Sequence, residues 1–341
     1  MLIFFPVALV LYLAGFDPVA VFIVSAIAII PLAGYMGQAT EELAFHAGPG
    51  VGGLLNVTFG NATELIIAIA ALQAGLMDVV KASLTGSIIG NLLLVLGLSM
   101  LAGGYNRKDQ HFSPKAATTY NSLMVIAIVG MTIPAMFFYT GGSAAALENV
   151  SVGVSVLLLA VYALAMVFSL HTHKHIFNPL AHEETIHAHW SRGKAMLVLG
   201  LAAALVAVMS QVLVGSVERA AESLGLTELF IGVIVVAIIG NAAEHGIAVT
   251  VAMKDKMDLS VNIATGSSAQ VALFVAPFLV LVSLAIGNPM NLFFEVFELA
   301  AMGLAVASVI MVSQDGESNW FEGAMLLAVY LMMALVFFLH P

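Results

Sequence analysis

Between Ala195 and Val214 the chain reads AMLVLGLAAALVAVMSQVLV, twenty residues without a single charge. A helix of that length is about 30 Å long, the thickness of a bilayer's hydrocarbon core. The stretch has many counterparts. Eleven candidate spans lie near residues 2–15, 18–37, 54–76, 79–103, 116–140, 148–170, 195–214, 227–253, 259–286, 290–312 and 320–340, the first of them short. Of the 341 residues 61% are hydrophobic and only 9% charged, against roughly 25% charged in a soluble domain. Backbone polar groups inside lipid must be satisfied within the segment, so runs of this length are helices. The expected fold class is an all-α polytopic membrane protein with about 11 transmembrane helices.

Composition excludes several functions. The chain has no cysteine, hence no disulfide framework, thiolate metal site or cysteine nucleophile. A net charge of −10 argues against a nucleic-acid partner. The opening MLIFFPVALVLYLAG lacks a basic leader and reads as a short first span rather than a cleaved signal. Lysines and arginines of the short loops set the orientation. Arg107, Lys108, Lys115, Lys174, Arg192, Lys194, Lys254 and Lys256 fall on one side, and only Lys81 and Arg219 on the other. The first side is therefore expected to be cytoplasmic, with the N-terminus inside and the C-terminus outside. The short polar tails suit a prokaryotic inner membrane.

The longest polar segment, residues 171–194, holds six of the ten histidines. Such a tract can bind metal or sense pH, but it reads first as a solvated linker. It divides the chain into an extra N-terminal span at 1–16, five spans at 17–170, the linker at 171–194, and five spans at 195–341.

The two halves repeat each other. Residues 60–93 align without gaps on 240–273 with twelve of 34 positions identical, against about three expected by chance. The matches include Gly60-Asn61 with Gly240-Asn241, Glu64 with Glu244, Asp78 with Asp258, and Thr85-Gly86-Ser87 with Thr265-Gly266-Ser267. Five spans is an odd number, so the second half enters the membrane in the opposite sense. Inverted five-helix repeats of this kind place a transport site near mid-membrane at the repeat interface.

The repeated glutamates are the informative residues. An ionised carboxylate at the bilayer centre costs roughly 2.5–3.5 kcal/mol even on lenient scales. Glu64 and Glu244 are therefore expected to line one central cavity rather than face lipid. Gly60-Asn61 and Gly240-Asn241 are poor helix formers and are expected to interrupt their helices and free carbonyls toward that cavity. Asn61 and Asn241 add amide oxygens on the glutamate face. The following spans offer Ser87 and Asn91, then Ser267, Ser268 and Gln270. Oxygen donors of this kind suit a hard divalent cation such as Ca²⁺, with six to eight oxygens at roughly 2.3–2.6 Å. Mn²⁺ accepts similar ligands. His245, beside Glu244, reads as a hydrogen-bonded neighbour, a proton relay or a gating group.

At these residues the chain resembles a known family. GNATELIIAIAALQAG, VKASLTGSIIGNLLLVLGLSMLAGG, GNAAEH and NIATGSSAQVALFVAP are similar to motifs of the calcium/proton antiporters, the cation/proton exchanger (CAX) branch of the calcium/cation antiporter superfamily. The resemblance covers essentially the whole chain. It implies Ca²⁺ export against proton entry, with Ca²⁺ as substrate and no cofactor. It implies that Glu64 and Glu244 carry cation or protons, with Ser87, Asn91, Ser267 and Gln270 beside them. Sodium/calcium exchangers carry more hydroxyls next to their glutamates. Ala62 and Ala242 stand here instead, which favours protons over sodium as the driving ion. Glu41 and Glu42 match an acidic stretch of the family, which implies an entrance or gating role, the alternative being a solvated helix end. Two departures stand out: Ser210-Gln211 replaces a Ser-Glu pair of many relatives, and the linker is His-rich rather than acidic.

Desolvation and mutual repulsion favour the neutral form of two buried carboxyls, whereas a bound metal requires them ionised. One pair can then hold Ca²⁺ or protons but not both, which is antiport by competition. The alternatives are a sodium-driven or Mn²⁺-preferring exchanger and a divalent-cation channel. Enzyme chemistry is not expected, because the chain has no His-Glu-x-x-His and no Gly-x-Ser-x-Gly elbow with triad partners. The expected partners are Ca²⁺, H⁺ and the lipid bilayer, and homo-oligomerisation is left open.

Overall fold

The computed structural model describes residues 2–177 and 189–339. The centre of the His-rich linker, 178–188, lies outside the described residues. The described chain is helical almost throughout. Its helices are α1 (Phe4–Leu13), α2 (Pro18–Gly60), α3 (Ala62–Gln73), α4 (Met77–Gly104), α5 (Pro114–Tyr139), α6 (Ala144–Thr172), the short α7 (Lys174–Phe177), α8 (Arg192–Leu224), α9 (Glu228–Met253), α10 (Met257–Ile286), α11 (Val296–Val312) and α12 (Trp320–Leu339). Eight of the helices are long and apolar enough to cross a membrane, and α1, α3 and α11 are shorter apolar helices. A two-residue antiparallel ribbon, β1 (Gln110–His111) with β2 (Glu317–Ser318), ties the α4–α5 loop to the α11–α12 loop.

Local chemistry sets the boundaries. Side-chain oxygens of Asp17, Ser113, Ser191 and Thr227 accept backbone N–H groups of the first turns of α2, α5, α8 and α9, each satisfying a donor the helix leaves unpaired. Pro18 and Pro114 sit at first-turn positions where no N–H is needed. Glu295 and Glu298 form a capping box at the start of α11. Gly225 and Gly287 end α8 and α10 with φ of +65° and +87°, conformations that glycine adopts without strain. Residues 290–295 are not helical, so the last-but-one span is shorter than the sequence suggests. Ser283 and Ser151 hydroxyls hold the backbone of Met290 and Leu292 there.

Helix α2 covers two expected spans. Eight residues of straight helix would separate Ala44 from Gly52 by about 12 Å. The chain instead brings Gly52 against the Ala44 carbonyl, closer than any Cβ could approach. It therefore turns back between them, and the returning arm leads into α3. Thr63 then reaches the sulfur of Met36, 27 residues earlier.

The two Gly-Asn pairs behave differently. Asn61, with φ −92° and ψ 19°, breaks the chain between α2 and α3. Gly240-Asn241, by contrast, lies inside continuous helix, which corrects the expectation of a second break. Asn241 stays helical while its amide donates to the Ala237 carbonyl one turn back (3.0 Å). The irregularity moves upstream, to a wide π turn at Ile231–Val236. Two further π turns, Gly90–Val95 in α4 and Val271–Val275 in α10, overlap under the 180-residue offset of the sequence repeat. Single π turns in α-helices are frequent at functional sites.

Two apolar cores form. One is built mainly from α1, α2 and α8, with residues such as Ile29, Met36, Val206 and Leu213. The other joins α3–α6 with α9–α12, through Leu92, Leu96, Leu273 and Met302 among others. Glycines allow the closest helix crossings, as expected where no hydrophobic effect drives helices together. Gly86 of α4 lies directly on the Val233 carbonyl of α9, whereas nothing approaches Gly153 on α6. The Gly86→Ala protein should accordingly unfold in detergent with a loss of at least about 1–3 kcal/mol. Gly153→Ala should equal or exceed wild type, and equal thermal stability of the two variants would refute the packing argument.

Candidate functional site

Glu64 lies in the first turn of α3, where the positive end of the helix dipole favours an anion. Its Oε1 accepts from the Ser87 hydroxyl of α4 and from the Asn241 amide of α9. Asn241 also donates to Ser87 Oγ at 3.0 Å. Donors from two helices thus meet at a single carboxylate oxygen on a third. On the opposite side, Ser267 of α10 donates to Glu244 Oε2 at 2.6 Å, and Asn61 donates to Gln270 Oε1 at 2.7 Å.

The two glycines explain how the carboxylates come together. A methyl group built on Gly60 would stand 3.4 Å from Glu244 Oε1 and 3.9 Å from Gln270 Oε1. One built on Gly240 would stand 3.1 Å from Glu64 Cγ. Each glutamate therefore packs against the glycine of the other's Gly-Asn motif, Glu64 on Gly240 within α9 and Glu244 on Gly60 at the end of α2. The glycine-to-glutamate spacing of four residues is the same in both halves, so the packing is reciprocal.

The centre is rich in acceptors and poor in donors. Glu64 Oε2 and Asn61 Oδ1 are buried and have no hydrogen-bond partner. Buried acceptors are ordinarily satisfied, and a cation or a proton would satisfy these. Among the described residues no three His, Asp or Glu side chains converge. The donor set is instead two carboxylates with neutral hydroxyl and amide oxygens, which suits a hard cation.

Access is unequal. A cavity of about 250 Å³ reaches Glu244, Ser267 and Gln270, and it is also lined by Glu41, Tyr120 and Asn262. Asn262 is near the start of α10, just beyond the Lys254–Lys256 turn, so the cavity runs toward the lysine-rich end of the bundle. Glu64 is not part of its lining.

The remaining candidates separate. Asn91 Oδ1 is paired with His245 Nε2 at 3.0 Å, so its carbonyl is engaged by the histidine rather than by either glutamate. Ser268 turns back to the Ala264 carbonyl of its own helix. Glu41 borders the cavity. Glu42 is 5% exposed and accepts the Trp190 N–H at 3.0 Å, so it is a buried clasp onto the segment entering α8 rather than a solvated helix end. Ser210 is fully buried and its hydroxyl has no partner. Sequence reading missed Tyr120, whose ring lines the cavity, and Glu298, a buried carboxylate bonded to Thr85 at 2.9 Å. The repeat had singled out Thr85, but nothing in the sequence tied it to a residue 213 positions away.

Comparison with known proteins gives the family. The family described as "Sodium/calcium exchanger protein" matches residues 18–171 and, separately, residues 194–339. The chain belongs to the sodium/calcium exchanger protein family. Within it, the chain is 50% identical to a "Ca(2+)/H(+) antiporter" of Synechocystis sp., over 100% of this chain and 96% of that protein. It is 47% identical to the "Ca(2+)/H(+) antiporter ChaA" of Bacillus subtilis, over 98% and 96%. The solved structure of native YfkE superposes with a TM-score of 0.86 at 44% identity, covering 98% of this chain and 97% of that one.

The unequal access predicts a chemical asymmetry. In metal-free protein, a membrane-permeant carbodiimide should modify Glu244 well before Glu64 when the sites are mapped by peptide mass spectrometry. Faster modification of Glu64 would contradict the geometry.

Proposed function

We propose that this membrane protein is a secondary transporter that exchanges Ca²⁺ for protons by alternating access. Glu64 and Glu244 bind either the cation or protons. The reciprocal packing of the two glutamates on Gly60 and Gly240 carries this reading. It puts two ionisable groups in one buried, acceptor-rich centre, where metal binding demands their ionisation. The names and identities of the antiporter relatives support the choice of ions.

In this reading the inverted halves, residues 17–170 and 195–341, move about the centre, and residues 1–16 add a peripheral span. The lysine-rich end is cytoplasmic by the positive-inside rule, in a prokaryotic plasma membrane. The cavity at Glu244 is then the cytoplasmic approach, with Glu41 on its wall. Ca²⁺ enters there with the carboxylates losing their protons, and Ser87, Ser267, Asn61, Asn241 and Gln270 supply neutral oxygens. Asn91 acts one step removed, through His245. Rearrangement opens the centre to the other side, where protons displace the cation. Ala62 and Ala242 offer no hydroxyl for sodium, and the Thr63 hydroxyl points at the Met36 sulfur. Protons therefore drive the exchange.

Reconstituted into liposomes without sodium, the protein should move ⁴⁵Ca²⁺ in response to an imposed pH gradient. Glu64→Gln and Glu244→Gln should each lower that flux by at least about 100-fold while eluting as folded protein, in line with losses on removing ligands that act in the transport step itself. Flux that appears only on adding sodium would overturn the choice of driving ion, and unimpaired flux in both variants would overturn the site.

A further inference from the structure

A second cavity, of about 380 Å³, lies on the periphery of the bundle between α5, α6 and α10, within the roughly 300–1,000 Å³ usual for ligand pockets. Its walls are apolar, with Leu123, Ala165 and Leu273 among them. One end is closed by aromatic rings. Phe177 of α7 packs edge-on to Tyr120 at 5.4 Å and to Phe168 at 6.2 Å, and all three line the cavity. Beside it on α6, Leu164 is 69% and Val167 54% exposed. This flank therefore faces hydrocarbon when the helices span a bilayer.

The rim at the aromatic end is cationic. Lys115 stands one helical turn before the cavity-lining Thr119, whose hydroxyl donates to the Lys115 carbonyl at 2.9 Å. Lys174 stands three residues before Phe177. Both lysines are exposed, and neither belongs to an ion pair among the described residues. The nearby carboxylate, Asp258, is engaged by the Ser113 N–H at 2.7 Å and by Asn262 at 3.4 Å. An apolar cavity open to hydrocarbon under a lysine rim matches a molecule with an alkyl chain and an anionic head. Basic rims between membrane helices recognise acidic lipid headgroups in this way.

We propose that this cavity binds one acyl chain of an anionic membrane phospholipid, with the lipid phosphate at Lys115 and Lys174. Tyr120, Gly266 and Gln270 line both this cavity and the one that reaches Glu244. A chain in the outer cavity therefore presses on the wall of the ion cavity. Any effect on exchange rests on the transport reading above, whereas the lipid site itself does not.

Native mass spectrometry of the detergent-solubilised protein, titrated with phosphatidylglycerol or phosphatidylcholine, separates the two questions. Wild type should retain one phosphatidylglycerol per chain in preference to phosphatidylcholine. Lys115→Gln/Lys174→Gln should lose that preference by roughly thirtyfold, the scale of two interfacial lysines. Ala165→Trp, which fills the cavity, should lose retention of both lipids. Equal retention of the two lipids by wild type, or an unchanged preference in the surface double variant, would overturn the proposal even if Ala165→Trp failed to fold. The same proteins in phosphatidylglycerol vesicles then report on coupling: altered Ca²⁺ flux in the double variant supports it, and unaltered flux confines the lipid to a structural role and overturns the coupling.

Discussion

Two carboxylates held at membrane depth govern the rest of this structure. Lipid offers them no water, so the protein has to supply the hydrogen bonds and, at times, the countercharge. Its solution is to pack each glutamate against the glycine of the other Gly-Asn motif and set a serine from the following helix on each carboxylate: Ser87 on Glu64 and Ser267 on Glu244. The break at Asn61, the paired π turns in α4 and α10, and the close approach of Gly86 to Val233 all lie beside the residues of this centre.

The halves are related in sequence but not equivalent in this conformation. Asn241 bridges Glu64 and Ser87, whereas its counterpart Asn61 turns to Gln270. Gln270 occupies the position matched by Gly90 in the first half, whereas Ser87 and Ser267, the hydroxyls on the two carboxylates, are kept in both. Glu244 borders a cavity and Glu64 does not. A transporter needs such inequality. If both carboxylates faced both sides at once, the ion path would be a pore and no coupling could arise. An inverted repeat that exchanges which half is exposed gives two states of similar energy from one sequence pattern.

Much of this was legible in the sequence because membranes leave few options. Apolar runs of about 20 residues fixed the spans, and the gapless match of 60–93 with 240–273 located the glutamates, serines and glycines. The reversal between Ala44 and Gly52 was not legible as a helical bend, since Gly and Pro between apolar runs read as an ordinary loop. The uninterrupted helix through Gly240-Asn241 was missed because propensity alone cannot see an amide satisfied by a carbonyl one turn back and a glutamate on another helix. Glu42 read as an entrance group or a solvated helix end, and nothing in the sequence singled out Glu298. Their burial depends on Trp190 and Thr85, partners distant in sequence. The unequal access of the two glutamates belongs to one conformation, and a sequence encodes more than one.

The central claim is that one pair of carboxylates holds Ca²⁺ or protons in turn. Calorimetry of Ca²⁺ binding to the purified protein, in two buffers of different ionisation enthalpy, measures the protons released. The account predicts net proton release near neutral pH that falls when either Glu64 or Glu244 is replaced by Gln. Ca²⁺ binding without proton release, or release that is unchanged in both variants, would contradict it.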